Sequence, residues 1–291
     1  MLEIRDLHVK FNTRDREAVA GISLTVEDGE IVGLVGESGS GKSVTAMSIA
    51  GLLPRKQCIF SGEILLDGQD LLHAERKDLR KIHGKEIAVV FQEPMSAMDP
   101  LMRIGEQVGE ALRIHTDLDK AARKEKALQA MRDVELRDPE AVYEKYPHEL
   151  SGGMLQRAMI AAAIVIEPSL LLLDEPTTAL DVTIQAQILE LLKRLNREQK
   201  ISMLFISHDL HVVRKLCTRV AVMQKGELVE SGETDDVFFH PQHPYTQRLI
   251  EAIPTRERKE RRRRNAERAE DVENNPNAEN GNGREGGAHE A

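Results

Sequence analysis

Cysteine is nearly absent from this chain: Cys58 and Cys217 are the only two in 291 residues. Two thiols so far apart in sequence make neither a disulfide framework nor a zinc cluster, and a reducing, intracellular setting is expected. Long apolar runs are also missing. The longest, Ala158 to Ile166, falls well short of the ~18 residues that a membrane span requires. A role at a membrane would need another chain to cross it. The first residues, Met1-Leu2-Glu3-Ile4-Arg5-Asp6, show no basic stretch followed by an apolar one, so no secretory signal is expected. There is no excess of positive charge either. A formal net charge of -9 gives no general attraction to nucleic acid or anionic lipid. The local exception is Arg256 to Arg264 (RERKERRRR), followed by a stretch rich in Glu, Asn and Gly. Such a composition buries too little apolar surface to offset chain entropy, so 255–291 is expected to be a charged, disordered tail, its basic run a solvated linker.

What is present is an anion-binding pattern. Gly36-Glu37-Ser38-Gly39-Ser40-Gly41-Lys42-Ser43 fits G-x-x-x-x-G-K-[ST] and follows the apolar run Ile31 to Val35. Glycines let successive backbone N–H groups turn inward, and a helix beginning there adds its positive end. Lys42 is then placed to reach the terminal phosphates of a nucleotide, and the Ser43 hydroxyl to contact magnesium. Upstream, Leu7, Val9 and Phe11 and then Ile22, Leu24 and Val26 alternate at period two, which predicts antiparallel strands leading into the loop. Ser61 to Gly68 predicts a strand closed by a turn, and Glu86 to Phe91 a buried strand. Asp119 to Leu136 carries Ala127, Leu128, Met131 and Val134 at helical spacing, so a helical insert is expected after the early strands.

From Leu170 onward, apolar runs alternate with helical patterns: Leu170 to Leu173, a helix bearing Ile184, Ile188, Leu191, Leu192 and Leu195, then Met203 to Ile206, and a hairpin over Val220 to Val229. That order predicts an α/β core with a parallel sheet. Asp174 and Glu175 then fall at a strand's C-terminal end, the edge where such sheets bind ligands. Asp174 suits a magnesium ion also held by Ser43, and Glu175 suits activation of the attacking water. Gln92 and His208 sit at equivalent strand ends, able to orient water or meet a γ-phosphate. Leu150-Ser151-Gly152-Gly153-Met154 precedes a helical stretch, making a second anion site with Ser151 as N-cap. Two such elements in one chain imply either a second ligand or a shared one.

Together these residues resemble the ATP-binding subunit of an ABC transporter, a P-loop NTPase (RecA-like) core with an antiparallel β subdomain and an α-helical insert. The resemblance runs from about Leu2 to Pro254 and implies one ATPase domain over 1–254, with the insert at about 96–160. It implies that Gly36 to Ser43, with Val44 after it, is the Walker A loop, Gln92 the Q-loop residue, and Leu150 to Met154 the signature. It further implies that Leu170 to Asp174 is Walker B, that Glu175 is the catalytic base, that Thr178-Ala179-Leu180-Asp181 is the D-loop, and that His208 is the switch histidine. In that family a sandwich dimer shares ATP between one chain's phosphate loop and the partner's signature loop, here Ser151, Gly152 and Gly153, and the resemblance also implies that Asp181 of the D-loop binds the cofactor. The cofactors implied are ATP and Mg2+, the latter on Ser43, Asp174 and Gln92. An aromatic stacks on adenine in the family, and Phe11 is the only aromatic before the loop.

Met154 stands where the family usually has Gln. LSGGM-x-QR, DEPTTALDVTIQAQIL, FQEPMSAMDP and His240-Pro241-Gln242-His243-Pro244-Tyr245-Thr246 are similar to the peptide and nickel importer ATPases. No cysteine follows Cys217, unlike subunits with a cysteine-rich extension, so peptide and nickel both stay open. The resemblance implies transmembrane permease subunits as partners, gripped through the insert, a second ATPase chain, and indirectly an extracytoplasmic substrate-binding protein. It implies no specific nucleic acid, and a place on the cytoplasmic face of the membrane. Alternatives are a soluble ABC-type ATPase acting on DNA or ribosomes, and the ATPase of an exporter.

Overall fold

The structure, a computed structural model, describes residues 1–178 and 180–252. Among them the strands β1 (Leu2–Phe11), β2 (Val19–Val26), β4 (Cys58–Leu66) and the short β5 (Gln69–Asp70) form an antiparallel sheet in the order β2-β1-β4-β5. A six-stranded sheet combines β3 (Ile31–Val35), β6 (Ile87–Val90), β7 (Leu170–Asp174), β8 (Ser202–Ser207), β9 (Arg219–Gln224) and β10 (Glu227–Glu233) in the order β10-β9-β3-β8-β7-β6. All its pairings are parallel except the β9–β10 hairpin. β3 thus belongs to the parallel sheet, although it follows directly on antiparallel strands.

Strands β3, β7 and β8 are buried at every position, and period two explains why four consecutive leucines are needed in β7. Leu171 and Leu173 point into one core with Ile31, Val35, Met203 and Phe205. Leu170 and Leu172 point into the other with Val32, Leu34, Leu204 and Ile206. The sheet is covered on both faces, so neither parity can be polar. The first core is shared with the helical insert, the second with the antiparallel sheet and with α1 (Lys42–Ile49) and α2 (Arg76–Ile82).

In β1 the buried positions are Leu2, Ile4, Leu7 and Val9. The step from Ile4 to Leu7 breaks the alternation, and a register shift between Arg5 and His8 absorbs the extra residue. Asp6 takes a left-handed φ of 46 there. The bulge lies so close to the neighbouring strand that a Cβ on Gly62 would sit 2.2 Å from the Asp6 carbonyl oxygen. Without the bulge, Leu7 and Val9 would face solvent.

Between β6 and β7 the chain is helical: α3 (Pro94–Ala97), α4 (Ile104–Val108), α5 (Glu110–His115), α6 (Lys120–Asp133), α7 (Pro139–Tyr143) and α8 (Gly152–Ile164). Asp119 starts α6 by accepting from the Ala122 N–H at 2.8 Å. After β7 come α9 (Val182–Gln199), α10 (Leu210–Leu216), α11 (Thr234–Phe239) and α12 (Pro244–Glu251). Ile188, Leu191, Leu192 and Leu195 of α9 are buried, while Ile184, one turn earlier, is half-buried against the core. The expected tail at 255–291 lies outside the described residues.

Candidate functional site

β3, β7 and β8 run in parallel, so their C-terminal ends meet at one sheet edge. The loop from Gly36 to Gly41 leaves β3 there and opens α1. Gly36 has φ +156, and a Cβ on it would lie 2.1 Å from the Met223 carbonyl oxygen. Gly41, with φ 111, takes the N-cap place of α1 without a side-chain hydrogen bond. The first-turn N–H groups of that helix are thereby left to an anion.

Lys42 is 4% exposed. Its ammonium donates to the carbonyls of Gly36 (2.8 Å) and Glu37 (2.9 Å). Burial holds its pKa below the usual lysine value, against the pull of Glu175 and Asp174. The Ser43 hydroxyl donates to Asp174 Oδ1 at 3.0 Å. Asp174 is also buried, and that burial raises its carboxyl above the ordinary carboxylate range; the Ser43 hydrogen bond opposes the rise.

Glu175, the next residue, takes a left-handed φ of 48. Such a backbone is uncommon for a non-glycine residue. Its Oε2 accepts from Gln92 Nε2 at 3.2 Å, Thr178 Oγ1 at 3.0 Å and His208 Nδ1 at 2.9 Å. A carboxylate only accepts, so Nδ1 carries the histidine proton in this contact.

These groups line one cavity of about 840 Å³, together with Arg14, Arg16, Glu17, Ala18, Lys225 and Leu249. It includes Gly36, Glu37, Ser38, Gly39, Gly41, Lys42, Ser43, Val44, Gln92, Glu175 and His208. Ser40 is a buried residue of the loop, its carbonyl accepting from the Gly226 N–H at 2.9 Å. Phe11 is not brought into the lining. It pairs with Cys58 in the antiparallel sheet, and the Arg14 guanidinium lies 5.6 Å from its ring centroid.

Ser151, Gly152, Gly153 and Asp181 are not brought to this cavity. They line a different one with Arg137, Met154 and Leu180. Ser151 caps α8 through the Met154 N–H (3.4 Å), and Asp181 caps α9 through the Thr183 and Ile184 N–H groups, both at 2.9 Å. The two elements, read as separate anion sites in the sequence, line separate cavities within one chain.

The family profile described as ABC transporter matches residues 19–178. The chain belongs to the ABC transporter family. It is an ABC ATPase cassette, and a second profile, the C-terminal region of oligopeptide/dipeptide transporters, matches residues 229–283. The cassette is 46% identical over 260 residues to the oligopeptide transport ATP-binding protein OppD of Bacillus subtilis, covering 88% of this chain and 73% of that one. It is 48% identical over 257 residues to the probable D,D-dipeptide transport ATP-binding protein DdpD of Escherichia coli, covering 87% and 78%. Among solved structures it resembles the dimeric bacterial ABC transporter cassette MJ0796, with 28% identity and a TM-score of 0.72 over 80% of this chain and 99% of that one. It matches the same cassette in a post-hydrolysis state bound to ADP and Pi with a TM-score of 0.73 and the same identity and coverage. Among the described residues of the cassette no helix is long and apolar enough to cross a membrane.

Proposed function

We propose that this cassette hydrolyses ATP to energise a peptide importer, on the cytoplasmic face of the membrane, bound to transmembrane permease subunits and a second ATPase chain. The observation that carries the catalytic half is the seating of Glu175, whose Oε2 is occupied by three donors. A carboxylate held in this way presents one fixed oxygen to a water, the geometry a general base needs.

The residues present fit magnesium. Asp174 and the Ser43 hydroxyl are hard oxygen donors already 3.0 Å apart, and the Gln92 carboxamide adds another. Among the described residues no cluster of three His, Cys, Asp or Glu side chains is present to cage a metal by itself. That suits an ion held by one carboxylate, a hydroxyl and substrate phosphates. Bound there, the ion would neutralise phosphate charge. Lys42 would exchange its loop carbonyls for the terminal phosphates, Glu175 would take the water's proton, and His208 would orient Glu175 and meet the departing phosphate. ATP on this loop would be completed by Ser151, Gly152, Gly153 and Asp181 of the second chain. Two separate cavities on one chain, each lined by one of the two anion-binding elements, support that reading. Adenine would meet the rim at Arg14 and Arg16, where Phe11, under the Arg14 guanidinium, is the aromatic at hand.

Peptide is proposed as cargo because the relatives named above carry oligopeptide and dipeptide in their names, and an extracytoplasmic binding protein would supply it indirectly. The test is uptake of a labelled dipeptide and of labelled nickel in cells carrying Glu175→Gln in place of the native chain. Loss of dipeptide uptake alone is expected. Loss of nickel uptake alone would move the chain to metal transport, and no loss of either would refute the importer reading.

A further inference from the structure

The segment His240 to Thr246 takes no part in the phosphate chemistry, yet it is built against the loop that does. Glu230 of β10 accepts from the backbone N–H groups of Gln242 (2.7 Å) and His243 (3.0 Å). His243 Nδ1 then accepts from the Tyr245 N–H at 3.2 Å and caps α12, with Pro244 in its first turn. Pro suits that place because its missing N–H would have no helical partner. This fixed start delivers Tyr245, 2% exposed, to the phosphate loop. Its hydroxyl oxygen accepts from the Glu37 N–H at 3.0 Å, across 208 residues of sequence. One turn later Leu249 lines the nucleotide cavity.

Gly36 and Glu37 form the first bend of the loop, and the unit is held from two directions. Lys42 Nζ holds the two carbonyls from inside, while Tyr245 holds the amide from outside. The Tyr245 ring packs in the same core as Val35 and Val237, which needs no hydroxyl. The hydroxyl alone meets the loop. The Glu37 amide, part-buried in this contact, has to find another partner once its acceptor is gone, and the bend is the part free to move.

We propose that Tyr245 is a positioning residue for nucleotide: through the Glu37 N–H it holds the phosphate loop in its binding-competent bend. The C-terminal helix thereby sets ATP affinity. This rests on the phosphate loop being the ATP site. A loop already in shape forgoes the ordering cost that a mobile one meets on binding. Tyr245 makes no hydrogen bond to Glu175, Gln92 or His208, so its effect falls on binding and not on the chemical step.

The test is Tyr245→Phe in the full chain, read by ATP binding, steady-state hydrolysis and amide hydrogen exchange. Loss of one such hydrogen bond is expected to raise Kd and KM for ATP about three- to tenfold, with kcat unchanged. Exchange at the Glu37 amide is expected to quicken while β7 and β8 stay protected. Native Kd and KM in the variant, or unchanged Glu37 exchange, would overturn the proposal, as would a fall in kcat at native KM. Failure of the native chain to bind ATP would overturn the phosphate-loop reading itself, and this inference with it.

Discussion

His208 Nδ1 lies 2.9 Å from Glu175 Oε2, across 33 residues of sequence. The contact joins the ends of two adjacent parallel strands, β7 and β8, whose pairing sets Asp174 beside Ile206. The register continues one step further, with the Glu175 N–H donating to the Ile206 carbonyl at 3.0 Å. The sheet itself therefore brings histidine to carboxylate.

Replacing His208 by Ala removes one of three donors to Glu175 and, in the proposed mechanism, the group that would meet the departing phosphate. Turnover is expected to fall by about 10²-fold or more, the scale of a lost proton-handling group, with ATP affinity within about threefold of native because the loop and Lys42 are untouched. Steady-state hydrolysis and nucleotide titration measure the two separately. Native turnover would remove His208 from the mechanism.

Gly152 tests the shared site. A Cβ on Gly152 would meet nothing within 4 Å, so Gly152→Ala has room within its own chain. The thermal midpoint of the isolated chain is expected to stay within a degree or two of native, since an exposed first-turn position tolerates Ala. Hydrolysis is expected to drop by about tenfold or more, because the added methyl would stand between the signature and a partner's γ-phosphate. An unchanged rate would place Gly152 outside any composite site.

Much of this was legible in the chain beforehand, because its informative residues are local. The apolar runs of β3, β7 and β8, the loop glycines and the strand-end Asp174, Glu175 and His208 all follow from short patterns. What escaped depends on contacts between distant segments. Thr178 was readable by resemblance as the start of the D-loop but not as a donor to Glu175. The parity change in β1 shows only when Gly62 is laid against Asp6. Arg157 follows the signature as an ordinary helix residue, yet it is buried, donating to the Val134 carbonyl at 2.6 Å and to Gln187 Oε1 at 3.1 Å. Phe11 had the right chemistry for adenine; it pairs with Cys58 in the sheet, and the guanidinium of Arg14, a residue of the cavity lining, lies over its ring.

His83 gives the fold a pH dependence apart from catalysis. Burial lowers its pKa, outweighing a hydrogen bond with the Ala50 backbone. A depressed histidine contributes stability above the unfolded value near 6.5, and loses it as pH falls through the lower folded value, because the unfolded chain then binds the extra proton. Unfolding midpoints in denaturant are expected to drop between pH 7 and pH 5, and His83→Gln to drop less steeply. Parallel pH profiles for the two proteins would contradict this.

The most direct test of the account is single-turnover hydrolysis and sedimentation of Glu175→Gln with ATP and magnesium. The amide keeps the shape of Glu175 and the Asp174–Ser43 pair, but it cannot take a proton from water. The variant is expected to bind ATP as the native chain does, to retain it unhydrolysed, and to sediment as a dimer with ATP and as a monomer without it. Hydrolysis at the native rate would show that Glu175 is not the base and would contradict the central claim.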